Sequence, residues 1–116
     1  MKIDGRTVTD EKEILAALQQ EFDERCEFVI LEDGADFMQT AGGELEYRCG
    51  EKQFRVSDAP VDQEKIRAAF LSYFRGDGSY LRDFEWEEFA IPGMWDELNA
   101  VVGKGLWSRI KAFFAG

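Results

Sequence analysis

The chain has 116 residues, enough for one compact domain with its own core, and its 45% hydrophobic content with sixteen aromatics (3 Trp, 3 Tyr and 10 Phe) argues against disorder. Fourteen basic residues stand against twenty-four acidic ones, a net charge of −10 that repels nucleic-acid phosphates and favours basic protein partners. The charge is unevenly spread: the chain up to Glu97 carries 11 − 24 = −13, and beyond it only Lys104, Arg109 and Lys111 are charged, a +3 tail.

KIDGRTV at the start suggests a small hairpin or strand. Asp10 and Glu13 then stand at capping-box spacing before an apolar pattern, Ile14, Leu15, Leu18 and Phe22, which predicts a first helix ending near Glu24. From Cys26 the period changes. CEFVILE reads as a buried strand that turns back at Asp33-Gly34. ADFMQTA follows, then a glycine turn at Gly42-Gly43. In ELEYRC, Leu45, Tyr47 and Cys49 alternate with Glu44, Glu46 and Arg48, and Phe54 and Val56 continue the alternation after Gly50. Consecutive segments of this kind predict an antiparallel meander.

Pro60 closes the sheet region. Asp62 is a suitable N-cap, Val61 and Ile66 are spaced as a hydrophobic staple, and Ile66, Phe70, Tyr73 and Phe74 form the stripe of a second helix that stops at Gly76. Arg67 projects among the apolar positions, which places it along the core edge with its head in water or, alternatively, in an inward ion pair with an acid of the sheet. FEWEEF reads as a last strand or extended edge, with Asp83, Glu85 and Glu87 along one side. Met94–Val102 has the pattern of a short helix, and GLWSRIKAFFAG brings Leu106, Trp107, Ile110, Phe113 and Phe114 within roughly a third of a helical wheel. Such a basic amphipathic helix docks on its own domain, or acts on a membrane surface or partner groove through Trp107, Arg109, Lys111, Phe113 and Phe114.

The fold expected is therefore α+β: an antiparallel meander sheet of four or five strands packed against two amphipathic helices. It forms a single domain over 1–116, with 93–116 a C-terminal helical extension. No apolar run reaches the roughly 20 residues of a bilayer span, and the first residues have no apolar stretch behind Lys2, so a cytoplasmic location is expected. Cys26 and Cys49 belong to no CxxC and read as reduced thiols, an inter-strand disulfide being the alternative in an exported chain.

Without a single histidine the chain lacks the commonest general base and transition-metal ligand, and its cysteines lack a histidine partner. Gly76-Asp77-Gly78-Ser79 is without the GK[ST] ending of a phosphate loop. The acidic group Asp83, Glu85, Glu87 and Glu88 matches no metal-loop spacing and is read as a docking surface; a small carboxylate-dependent enzyme is the competing reading. No catalytic residue, metal or cofactor is assigned.

MQTAGGELEYRC, with IRAAFLSYFRGD and FEWEEF, resembles segments of a group of small uncharacterised bacterial α+β proteins. The opening IDGRTVTD, followed by an amphipathic helix, is similar to the start of small acidic immunity proteins of bacterial toxin systems. These resemblances, covering roughly residues 3 to 89, imply a cytosolic toxin-neutralising or interaction protein without cofactor. In that role Glu44, Glu46, Asp83, Glu85, Glu87 and Glu88 would steer a basic protein partner, and Tyr80 and Trp86 would anchor it.

Overall fold

In the computed structural model, residues 1–89 are described. The helical expectations for Met94–Val102 and for the 93–116 extension, with the tail residues Trp107, Arg109, Lys111, Phe113 and Phe114, lie outside the described residues.

The chain opens with a hairpin, β1 (Lys2–Ile3) and β2 (Arg6–Thr7), then runs through α1 (Glu11–Phe22). The meander β3 (Val29–Asp33), β4 (Asp36–Ala41), β5 (Glu44–Cys49) and β6 (Lys52–Val56) follows. It continues through α2 (Gln63–Arg75) and the short α3 (Ser79–Asp83) into β7 (Trp86–Phe89). All pairings are antiparallel, in the order β2-β1-β3-β4-β5-β6-β7. The sheet of the described residues thus has seven strands where four or five were expected. The four meander strands and the last strand stand as read, and the count rises to seven because the opening hairpin, suggested by KIDGRTV, joins the same sheet as the two-residue strands β1 and β2. The single turn of α3 is an addition to the elements read from the sequence: Gly76 and Gly78 directly precede it and give the stretch the pattern of a loop.

Local chemistry explains the longer elements. Asp10 accepts from the Lys12 amide while Glu13 Oε2 accepts from the Asp10 and Thr9 amides, so the capping box forms and satisfies N–H groups that a helix start leaves orphaned. Asp62 caps α2 in position only, without a side-chain bond, and Val61 and Ile66 beside it are both buried. At its other end α2 stops on Gly76, φ +73, whose amide and that of Asp77 both reach the Ser72 carbonyl.

Alternation sorts the sheet into two faces. Ile3, Val29, Leu31, Met38, Leu45, Tyr47 and Val56 point towards α1 and α2, which contribute Ile14, Ala17, Leu18, Ile66, Ala69, Phe70 and Tyr73 to the same core. Arg67 adopts the edge position: its side chain is 26% exposed, pairs with Glu64, donates to Gln19 of α1 and lies over the Phe22 ring at 4.9 Å. It clasps the two helices together, and the inward pair with the sheet does not occur. Cys26 and Cys49 are free thiols.

Candidate functional site

Every tyrosine of the chain lines one cavity. Tyr47 enters from β5, Tyr73 from the last turns of α2 and Tyr80 from α3, enclosing with Asp33, Asp36 and Cys49 a concavity of about 340 Å³ at one end of the helix-covered face. The two aspartates are cross-strand neighbours flanking the β3–β4 turn, so the same turn that sets the register also sets both carboxylates at the cavity. Asp36 is further fixed by accepting the Gly50 amide at 2.9 Å from the next turn. Arg48 is at the wall with its Nε donated to the Gly50 carbonyl.

The rings are locked by one another. Tyr80 meets Tyr47 and Tyr73 edge-on, with centroids 5.4 and 5.5 Å apart, and Tyr47 stacks on Phe54 at 4.9 Å. Trp86 closes the group at 4.6 Å from Tyr47, donating its indole N–H to the Tyr80 carbonyl, with Phe84 on its other side at 5.5 Å. Edge-to-face pairs of this kind add to the stabilisation of simple burial.

A polar relay positions Tyr80. Ser72, buried on α2, donates its hydroxyl to Asp77 Oδ1 and accepts the Tyr80 amide at 3.1 Å, while Asp77 also accepts the Ser79 amide at 2.9 Å. Chiefly through the Ser72 bond, then that of Ser79, the Asp77 carboxyl is drawn down to about 2. Because its folded value is depressed, its contribution to stability is present above the ordinary carboxylate range and lost as pH falls from there through about 2. Ser72→Ala is expected to return the Asp77 titration towards the usual carboxylate range and to change the Tyr80 ring shifts. Carboxyl NMR across an acid titration reads the first, and an Asp77 midpoint that stays near 2 would refute the relay.

All three phenols are held protonated through the neutral range. Burial raises the pKa of Tyr47, Tyr73 and Tyr80, and neighbouring negative groups add to it: Asp36 and Asp33 at Tyr73, Asp36 at Tyr80. The electrostatic part of that environment disfavours an anion and favours a cation, and rings presented edge and face can hold a cation by their quadrupoles.

The residues singled out in the sequence fall into three places. Tyr80 and Trp86, expected as anchors, come together in the aromatic cluster, both half-buried. Asp83, Glu85 and Glu88 are exposed beside them. Asp83 ends α3 and Glu85 precedes β7, so neither lies within the strand beside Glu87; within β7, Glu87 and Glu88 point to opposite faces, and Glu87 pairs with Arg55 at 2.6 Å. Glu44 is half-buried at the start of β5. Glu46 departs most from expectation: it is 6% exposed and accepts from both Gln39 and Gln53, so it is an interior group where a steering surface charge was expected.

Asp33, Asp36, Tyr47 and Tyr73 were not singled out as site residues from sequence. The aspartates read as turn residues and the tyrosines as core, and only the fold joins them. A scarce residue type gathered into one place is the signal that could have drawn attention to them. Among the described residues no three His, Cys, Asp or Glu side chains converge as a metal set, and no helix is long and apolar enough to cross a membrane. Neither a protein-family model, nor a curated protein, nor a solved structure matches the chain.

Proposed function

We propose that the protein is a non-catalytic binding domain, an immunity-type inhibitor that receives a cationic side chain of a basic effector in the tyrosine–aspartate cavity. The observation that carries this reading is the convergence of Tyr47, Tyr73 and Tyr80 with Asp33 and Asp36 on one concavity. Carboxylates supply long-range attraction, and the fixed rings supply desolvated contact for a guanidinium or ammonium group once it arrives. Asp83, Glu85 and Glu88 on the adjoining α3–β7 segment extend the negative field beyond the cavity mouth and would raise the association rate more than the lifetime of the complex.

Titration of the labelled chain with a short arginine-containing peptide amide, followed by amide and aromatic NMR shifts, tests the reading. Shift changes are expected at Tyr47, Tyr73, Tyr80 and the β3–β4 turn, with the affinity lowered roughly tenfold in Asp33→Asn/Asp36→Asn, as the loss of about 1.4 kcal/mol would give. An unchanged affinity in that variant, or shifts confined to Glu85–Glu88, would remove the cavity from the interface.

A further inference from the structure

The middle of the second face of the sheet is buried, although α1 and α2 send their buried apolar residues to the first. Register puts Ile30, Gln39, Glu46, Arg55 and Glu87 in one cross-strand row there, and Glu32, Phe37, Arg48, Gln53 and Phe89 in the next. A face turned to water keeps its side chains exposed. Here Gln39 is 0% exposed, Gln53 1%, Glu46 6%, and Ile30 and Phe37 8% each. Phe28, Ile30 and Phe37 make an apolar cluster of their own, with Ala41 packed on it and no residue shared with the helix-side core. None of α1, α2 and α3 contributes a residue to that cluster, and burial of this depth calls for a cover on this face.

We propose that residues 90–116 of the same chain are that cover, with the stripe Leu106, Trp107, Ile110, Phe113 and Phe114 laid across Phe28, Ile30 and Phe37. Four observations lead to this occupant. The chain leaves β7 at Phe89, a residue of the face in question, so its continuation starts beside the surface to be covered. The dimensions agree. From β7 to β3 is four strand spacings, about 19 Å, and a helix over the thirteen residues 104–116 is about 20 Å long.

Charge agrees as well. On a 3.6-residue wheel Arg109 borders the stripe about 40° beyond Phe113, and on the other side Lys111 and Lys104 lie about 40° and 60° beyond Trp107. Across β3 to β7 the face they would frame contains Glu32, Glu44, Glu46 and Glu87 against Arg48 and Arg55, the last paired with Glu87, an acidic excess of two.

The fourth observation is chemical. Gln39 and Gln53 both donate their amide N–H to Glu46 Oε2, at 3.0 and 3.4 Å. Their carbonyl oxygens are buried, and among the described residues no donor reaches either. A covering surface of hydrocarbon alone would leave both acceptors orphaned, a costly arrangement. The 104–116 stretch brings N–H donors at Trp107 and Arg109 along with its apolar stripe.

Nuclear Overhauser spectroscopy on the full chain tests the proposal directly. Contacts are expected from Ile110, Phe113 and Phe114 to Phe28, Ile30 and Phe37 within one molecule. In a mixture of labelled and unlabelled chains, contacts seen only between molecules would replace the intramolecular cover by a second copy. Contacts of the tail with α1 or α2, or none with the sheet, would also overturn it. As a second arm, Phe113→Asp/Phe114→Asp is expected to lose these contacts, to raise dye fluorescence from exposed apolar surface severalfold, and to bind the arginine peptide as before. If the double variant leaves dye binding unchanged, the face has another cover.

Discussion

Phe70→Ala is expected to lower the stability of the fold by about 3–5 kcal/mol, the range for emptying a buried phenylalanine site. Phe70 is 0% exposed in the middle of α2, and it belongs to the cluster that unites both helices with β1, β3, β4 and β5. The loss has two parts: the transfer free energy of a benzyl group, and the cavity left where neighbours on two layers cannot both collapse inward. For a domain whose total stability is of order 5–15 kcal/mol, that takes a large share of what holds it folded. Urea unfolding would show a midpoint lower by about 1–3 M at unchanged slope. Leu81→Ala, at a side chain 50% exposed, serves as the contrast and should move the midpoint little. Equal losses in the two variants would mean that the core is not organised around α2.

What sequence revealed and what it concealed divide along the range of the interactions involved. The capping box of Asp10 and Glu13, the stop at Gly76 and the turns at Asp33-Gly34 and Gly42-Gly43 are decided within four or five residues, and each forms where the sequence placed it. The alternation of Leu45, Tyr47 and Cys49 likewise named the side of β5 that meets the helices. The same alternation misled at Glu46. A polar residue opposite a buried one is assigned to solvent, but that assignment assumes the second face is bare, and the depth of Gln39, Glu46 and Gln53 shows that it is not.

The cavity was concealed for a related reason. Asp33 and Asp36 come from one hairpin, Tyr47 from the next, and Tyr73 and Tyr80 from helices separated by the Gly76–Gly78 turn. Nothing in the spacing of these residues records that Ser72 and Asp77 fold α3 back to bring Tyr80 over Tyr47. Arg67 shows the intermediate case. Its odd position on the wheel was visible, while its partners, Gln19 and Phe22 of α1, depend on how two helices cross.

The second large effect concerns the β4–β5 turn, where two adjacent glycines differ in what surrounds them. Both have positive φ, +57 at Gly42 and +84 at Gly43, as a tight two-residue hairpin turn requires, so alanine is strained at either position by about 1–2 kcal/mol. Space separates them. A Cβ at Gly42 meets nothing within 4 Å, whereas one at Gly43 would stand 2.7 Å from Pro60 Cβ and 3.3 Å from Pro60 Cα. The neighbour has little freedom to yield, because the Val61 amide donates to the Gly43 carbonyl at 2.6 Å and Val61 is buried at the entrance to α2.

Gly43→Ala is therefore expected to cost about 2–4 kcal/mol, strain plus overpacking, and Gly42→Ala only the strain. The Gly42 amide, held by Glu21 Oε1 of α1 at 2.8 Å, survives in both variants, so the difference between them isolates the contact with Pro60. Hydrogen exchange supplies the second readout: Gly43→Ala should speed exchange at the Val61 amide and the first turn of α2, and Gly42→Ala should leave it slow. If the two variants lose the same stability and protect that turn equally, the packing of Gly43 on Pro60 does not tie the meander to α2.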